Sequence, residues 1–272
     1  MTYLCDLHLH STASDGQYQP AELVRLASRK GLQVIALTDH DSIGGIEEAQ
    51  AEAEKLGMKI IPGIEMSAIE YKTFYILGYG FDIHNKTVNE WFSDLEAGRQ
   101  ERKRRIHAYL HEKGVDFPIE EVDEMAAGGV VGRPHFCRVM LKHGICETWE
   151  DVFNIYLDTD EFHEKVDFKK PFGRDCVEII KNAGGVVSLA HPYQINIGDE
   201  DLEMLLRQMK DWGLDAIECY HSGHTQEMIS KYLALAEKYA LRVTGGSDFH
   251  GEKIKPEIEM VRLKLEMDWM LL

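Results

Sequence analysis

The chain has 272 residues, enough for one large α/β domain or a main domain with an insertion. Its formal net charge of −17 argues against a partner such as long nucleic acid, whose binding rests on many Lys/Arg–phosphate contacts. No apolar run nears the ~18 residues that cross a bilayer, and no basic-then-apolar leader opens the chain. Five scattered cysteines without a Cys-x-x-Cys pair suit reduced thiols in a cytoplasm.

Short apolar or β-branched runs alternate with amphipathic stretches, the pattern of a mainly parallel α/β protein. Tyr3–Leu9 is the first predicted strand and leads into His8-Leu9-His10. Residues two apart on a strand share a face, so His8 and His10 aim two imidazoles at one point. Neutral imidazole is the commonest protein ligand for a catalytic divalent metal. The loop Ser11-Thr12-Ala13-Ser14-Asp15-Gly16 follows, then a helix over Pro20–Lys30 opened by its proline. Gln33–Leu37 reads as a buried strand that runs into Thr38-Asp39-His40-Asp41. Ile46–Leu56 reads as a helix stopped by Gly57. Lys59–Ile64 is a strand running into Glu65-Met66-Ser67, and Thr73–Tyr79 is another.

From Asn89 to Phe168 the alternation breaks, and the pattern predicts helices over Glu90–Lys113, Ile119–Ala127, Pro134–His143 and Trp149–Leu157. The reading is a helical insertion, residues 89–168, carried by a body made of residues 1–88 and 169–272. Mixed charge over Glu96–His111 reads as a solvated face. Inside the insertion, Val131-Gly132-Arg133-Pro134-His135-Phe136 carries chemistry. Arg133 can grip a phosphate through two parallel N–H donors. His135 can hydrogen-bond the same group or protonate a leaving oxygen.

Beyond the insertion come the strand Val186–Ala190 before His191-Pro192, the helix Asp199–Trp212, and the strand Asp215–Tyr220 before His221-Ser222-Gly223-His224. A helix over Thr225–Tyr239 and a strand over Arg242–Gly245 complete the pattern, the strand leading to Ser247-Asp248-Phe249-His250-Gly251. Trp149, Trp212 and Trp269 read as packing residues. His84, His107, His111, His143 and His163, away from the strand ends, read as surface histidines.

Five clusters thus place His, Asp or Glu at the C-terminal end of an apolar strand, the edge where active sites assemble in barrels and open parallel sheets. Seven or eight N and O donors exceed what one first-row ion needs, so at least two divalent ions are expected. Glu65 is best placed to bridge them, and a His/carboxylate set without Cys fits Mn²⁺, Fe²⁺ or Zn²⁺. Paired ions activate water and steady the charge on a displaced phosphoryl group.

Asp6-Leu7-His8-Leu9-His10-Ser11, Thr38-Asp39-His40-Asp41, Gly63-Ile64-Glu65-Met66-Ser67, Ala190-His191-Pro192 and Gly246-Ser247-Asp248-Phe249-His250-Gly251 resemble the signatures of the PHP (polymerase and histidinol phosphatase) family of metallophosphoesterases. The resemblance runs from Leu4 to Gly251. It is strongest to stand-alone members with a helical insertion, among them nucleoside 3′,5′-bisphosphate phosphatases and trinucleotide-shortening exonucleases.

The resemblance implies a distorted (β/α)₇ TIM-like barrel with two or three divalent metal ions. His8, His10, Glu65 and Asp248 would hold one ion, Asp15, His40 and His250 another, and Glu65 with His191 a third. The third site departs from the family pattern, because Tyr75 stands in Tyr75-Ile76-Leu77-Gly78 where a His is expected. A phenol, with an ordinary pKa of ~10, is a poor ligand for these ions. The resemblance also implies that the stretch around Arg133 and His135 binds substrate phosphate, and that His224 lies close to substrate. The expected activity is hydrolysis of a small phosphorylated metabolite, preferably a nucleoside 3′,5′-bisphosphate. A phosphodiesterase acting on cyclic phosphates or short oligonucleotide ends is the first alternative. A histidinol phosphatase and a non-catalytic metal-binding module are the others. The sequence carries no signal for an oligomeric state.

Overall fold

The computed structural model describes residues 1–126, 129–166 and 170–270. Seven strands lie side by side in chain order: β1 (Thr2–Leu9), β2 (Val34–Leu37), β3 (Lys59–Ser67), β4 (Tyr75–Tyr79), β5 (Val186–Leu189), β6 (Ala216–His221) and β7 (Arg242–Gly246). An eighth, β8 (Leu263–Glu266), pairs antiparallel on the outer edge of β1. The sheet curls back on itself where the Asp248 N–H donates to the His8 carbonyl at 2.9 Å and the His10 N–H to the Phe249 carbonyl at 3.0 Å. The result is a nearly closed barrel.

β1, β2 and β3 run parallel, as do β5, β6 and β7, whereas β4 is antiparallel to both of its neighbours. Reversal of β4 matters for the site. Its first residue, Tyr75, pairs with Ser67, the last of β3, so Tyr75 reaches the rim where the parallel strands end. The seven expected strands are present at the expected places, while β8 falls where the sequence reading expects no element.

The helices are α1 (Pro20–Arg29), α2 (Ile46–Leu56), α3 (Lys86–Glu112), α4 (Ile119–Ala126), α5 (Arg133–Lys142), α6 (Trp149–Val152), which continues as a π-helical turn over Phe153–Leu157, and α7 (Asp160–Val166). After them come α8 (Gly173–Asn182), which the sequence reading does not anticipate, α9 (Asp199–Trp212) and α10 (Gln226–Lys238). As expected, α2 stops at Gly57, whose φ of 63° is the left-handed region that glycine enters without a Cβ clash. Among the described residues no helix is long and apolar enough to cross a membrane.

Three apolar clusters hold the molecule together. One, containing Cys5, Leu7, Val34, Ala36, Ile61, Leu77 and Tyr79, includes no helix residue and fills the barrel. A second lies between the strands and the helices around them, with Leu9, Ile35, Ile64, Ile180, Leu206 and Leu235. The third belongs to the helical stretch alone and is built from Ile106, Leu110, Phe136, Met140, Phe162 and Val166.

α3 joins the last two. Val88, Phe92 and Leu95 at its start pack in the strand–helix layer, and Ile106, Tyr109 and Leu110 at its end pack in the third cluster. Glu96–His111 is the solvated face its charge pattern predicts at Glu101, Arg104 and Arg105, which are exposed, but Arg99 and Arg102 are 8% exposed, buried where the helix crosses from one core to the other. Helical structure starts at Lys86, before the expected helix onset at Glu90 and the expected insertion boundary at Asn89. Ala127 and Phe168, the expected ends of a helix and of the insertion, lie outside the described residues.

Candidate metal centre and active-site cavity

The barrel rim gathers the strand-end side chains. Glu65, fully buried, is the hub: its Oε2 lies 3.3 Å from both His8 Nε2 and His10 Nε2 and 3.0 Å from His40 Nδ1, and its Oε1 is 2.7 Å from His191 Nε2. Asp248 Oδ1 sits 3.2 Å from His10 Nε2 and 3.5 Å from His250 Nδ1. Asp15 Oδ1 sits 3.3 Å from His250 Nε2. Asp248 is held with φ of 59°, a left-handed conformation rare for a residue with a Cβ and found where a site over-determines the backbone.

Donor atoms of His8, His10, Glu65 and Asp248 lie within 4.8 Å of one another, as do those of His10, Asp15, His40 and His250. Each group could hold a metal ion. His8 Nε2, both His10 nitrogens, His40 Nδ1 and Glu65 Oε2 are buried without a hydrogen-bond partner, although buried polar atoms nearly always find one. Orphaned lone pairs converging on the same space are what a divalent cation satisfies, so the residues present fit such ions. His191 is brought to Glu65 but belongs to neither group.

Electrostatics follow from packing these groups without water. Burial opposes the charged form of Glu65, but His40 and His8 beside it hold its carboxyl well below the usual range. Burial also disfavours a charged His8, yet Glu218 and Glu65 hold its imidazole well above the usual value. His10 is raised to about 9, with Asp248 and Glu65 outweighing burial. His40 goes the other way, pushed down to about 4 by burial.

Four buried carboxylates that the sequence reading gave no role support this rim. Asp6 accepts from Ser247 N–H (2.9 Å), Ser247 Oγ (2.6 Å) and Val261 N–H (3.0 Å), which pins the loop carrying Asp248. Asp39 accepts from Ser11 N–H (2.8 Å), Ser11 Oγ (2.7 Å) and Ser14 Oγ (2.6 Å), which shapes the loop carrying Asp15. Asp41 caps Ser67 N–H at 2.9 Å and also receives Arg99 from α3.

Glu218, on β6, takes the His8 Nδ1–H at 2.9 Å and the His191 backbone N–H at 2.7 Å. His8, Glu218 and His221 also form a compact donor group. Both Glu218 oxygens accept hydrogen bonds, one of them from His8, so Glu218 supports the His8 ring. The sequence signal for Glu218 was one: an acid inside the apolar run Ala216-Ile217-Glu218-Cys219.

Next to the rim opens a cavity of about 1270 Å³, lined by His40, Glu65, His191, Asp248 and His250 and by the cationic side chains of Lys72, Arg99, Arg102, Arg133, Lys170 and Lys255. Arg133 reaches it, with its Nη1 bonded to Asp158 Oδ1 at 2.5 Å and to the Leu157 carbonyl at 3.2 Å. His135 and His224 are not among the lining residues. His135 is buried in the first turn of α5, where its Nδ1 accepts the Gly132 N–H at 2.9 Å, and burial pushes it down to about 4. His224 donates Nδ1–H to the Cys219 carbonyl at 2.9 Å and is likewise pushed down to about 4 by burial.

His221, by contrast, does line the cavity, with Nε2 3.7 Å from Asp248 Oδ2. Tyr75 stands between the rings of His40 (5.4 Å) and His191 (5.5 Å), and burial raises its phenol further from ionisation. One expectation is extended and one needs correction. Trp149 packs against the insertion core but also lines the cavity, and His163 lines it too, its Nε2 3.0 Å from Asp158 Oδ1.

A nearly closed barrel, a rim of buried His, Asp and Glu donors suited to divalent metals and a cation-lined cavity define a hydrolase of phosphoesters. The chain belongs to the PHP family, whose PHP domain model matches residues 6–158. It is 33% identical over 254 residues to a 5′-3′ exoribonuclease of Haemophilus influenzae, covering 92% of this chain and 91% of that one. To a 3′,5′-nucleoside bisphosphate phosphatase of Chromobacterium violaceum it is 31% identical over 250 residues (90% and 86%). To a phosphoribosyl 1,2-cyclic phosphate 1,2-diphosphodiesterase of Eggerthella lenta it is 29% identical over 259 residues (91% and 94%).

Among solved structures, an amidohydrolase from Chromobacterium violaceum with bound sulfate and no metal superposes with a TM-score of 0.85 at 28% identity, covering 96% of this chain and 91% of that one. A Bifidobacterium adolescentis protein assigned as a metal-dependent phosphoesterase superposes with a TM-score of 0.83 at 30% identity, covering 98% and 93%.

Proposed function

We propose that this PHP phosphoesterase releases phosphate from a nucleoside 3′,5′-bisphosphate. The observation that carries the reading is the composition of one cavity, which joins the metal-capable rim to a second set of cations. One phosphate can sit at the rim while another is held by Arg133, Lys72 and Lys170.

In this reading His8, His10, Glu65 and Asp248 hold one ion and His10, Asp15, His40 and His250 a second, with His191 oriented on Glu65. The donor set suits Mn²⁺, Fe²⁺ or Zn²⁺. When bound, such ions supply an activated water and neutralise charge developing on phosphorus. Glu65, kept ionised by His40 and His8, and Asp248, kept ionised first by Lys255 and then by His250, contribute negative charge that draws the ions in. Arg133 orients phosphate. We assign to His221, whose Nδ1 accepts the Gly223 N–H and whose Nε2–H faces the cavity, a hydrogen bond to the leaving oxygen; His135 and His224 are not among the lining residues. Residues 89–168 act as one unit that completes the substrate wall. The scattered thiols are the ground for placing the protein in the cytoplasm.

A second reading is favoured by size. The cavity exceeds the roughly 300–1,000 Å³ of ordinary small-molecule sites, which leaves room for more than one nucleotide unit of a short single strand. Long nucleic acid stays disfavoured by the charge of −17.

The test uses metal-depleted protein restored with Mn²⁺ and compares phosphate release from adenosine 3′,5′-bisphosphate with cleavage of a 5′-phosphorylated trinucleotide RNA. Faster turnover of the bisphosphate, abolished by a chelator and by Glu65→Ala, is expected. Preferential cleavage of the trinucleotide would establish the second reading. No turnover of either, with full metal content, would overturn both.

A further inference from the structure

Among the cavity-lining aromatics that the mechanism leaves unused, Trp149 and Phe153 lie on one helical path. Trp149 opens α6, and Phe153 opens the π-helical turn that continues it. Four residues apart on one helical path, they share a side, and their rings stack at 5.8 Å between centroids with 18° between planes. The Arg133 guanidinium lies over the Phe153 ring at 5.4 Å, and all three side chains line the cavity. Each aromatic is half-buried, with part of its surface packed on the insertion core and part left to the cavity.

We propose that Trp149 and Phe153 form a stacking platform for a nucleobase, with Arg133 set to hold the phosphate of the same nucleotide. This assignment rests on the reading of the substrate as a nucleotide.

Three features favour a base over an apolar chain. Flat π faces beside the cations Arg133, Lys72 and Lys170 match a flat, polar-edged ring that carries a phosphate better than a flexible hydrocarbon. Arg133 belongs both to the stack and to the cations, so a ligand lying on the rings places its phosphate at a guanidinium. The platform is also tied down. Thr148 caps the first turn through the Asp151 N–H at 3.1 Å. Asp158, at the end of the π-helical turn, gathers Arg133 (2.5 Å), His163 (3.0 Å) and, from the loop between β3 and β4, Lys72 (2.8 Å). Asp158 thereby fastens the platform to the barrel. π-helical turns are rare and concentrate at functional sites, where they re-aim a side chain.

Stacking accepts every base, so the platform sets a substrate class and not one base, with purines ahead of pyrimidines.

The experiment compares kcat/KM for adenosine 3′,5′-bisphosphate with that for ribose 3,5-bisphosphate, which lacks the base, in the Mn²⁺-loaded wild type, Phe153→Leu and Trp149→Leu. The expected result is a preference for the nucleoside in the wild type that falls by about tenfold or more in either variant through KM, the size of base-on-aromatic stacking. An unchanged preference, whether both rates fall together or neither moves, would overturn the platform while leaving the phosphatase reading intact. Absence of turnover on both substrates in the wild type would instead sink the nucleotide reading. Because a core-facing substitution can unfold the insertion, adenosine monophosphate is also titrated into the wild type and Trp149→Phe. A fluorescence quench seen only in the former supports the platform, and equal quenching refutes it.

Discussion

Glu218→Gln isolates one buried carboxylate with almost no change of shape. Glu218 is fully buried, and each of its oxygens accepts one hydrogen bond, from His8 Nδ1–H and from the His191 backbone N–H. Glutamine keeps one acceptor and presents an NH₂ where the other was. If the NH₂ faces His191, two donors meet and a buried N–H goes unpaired, at about 1–3 kcal/mol. If it faces His8, the Nδ1 must accept, and the ring proton moves to Nε2, the atom 3.3 Å from Glu65 that would meet the metal.

Either arrangement also removes a charge-assisted hydrogen bond, worth about 1.5–3 kcal/mol. The expected outcome is therefore a lower urea midpoint together with Mn²⁺ affinity weakened about 10–100-fold, the range for lost carboxylate–histidine–metal support. Urea denaturation of metal-depleted protein and calorimetric titration of Mn²⁺ measure the two effects separately. Wild-type stability and wild-type affinity in the same variant would refute the assignment of Glu218 as the residue that orients His8.

Gly246→Ala should open the barrel seam, because the added Cβ would lie 2.3 Å from His8 Cβ and 2.4 Å from His8 N. A loss of about 3 kcal/mol is expected, roughly 6–12 °C in melting temperature, with weakened metal uptake; an unchanged melt would contradict the tight β1–β7 approach. His135 titrates at about 4 when folded and near 6.5 when unfolded, so the unfolded chain takes the proton first. Its contribution is full above pH 6.5 and is lost as pH falls toward 4, on the order of 3 kcal/mol. His135→Gln should flatten that acid limb in pH-dependent urea titrations, and an unaltered slope would assign the limb to other groups. Arg99→Ala leaves Asp41, 2% exposed, without its cation and should destabilise by about 3–5 kcal/mol. Adding Asp41→Asn should recover part of that loss in a double-mutant cycle, and simple additivity would show that the pair is not coupled.

The donor set of the rim was legible because its signals are local. His8-Leu9-His10 reads as two imidazoles on one face from the period of a strand, and each further His, Asp or Glu sits just past an apolar run. Which residues reach a strand end depends on neighbours a few positions away. The seven strands were legible for the same reason.

What sequence alone did not decide depends on partners far along the chain. Glu218 meets His8 across 210 residues, and Asp6 meets Ser247 across 241. Nothing near Asp6, Asp39 or Asp41 distinguishes a carboxylate that fastens a loop from one that faces a metal. The reversed direction of β4, which brings Tyr75 to the rim, is set by pairing with β3 and β5. The charge pattern of α3 gave no hint that Arg99 and Arg102 are buried, because that follows from the helix crossing between two cores.

His135 and His224 carry the expected chemistry, yet both are buried and neither is among the side chains that line the cavity. Trp149, read as a packing residue, presents part of its surface to the cavity. Residue type and period select the atoms that can do chemistry. Only closure of the barrel and docking of the helical stretch decide which of them face one another, because those contacts are made between segments whose separation no local pattern encodes.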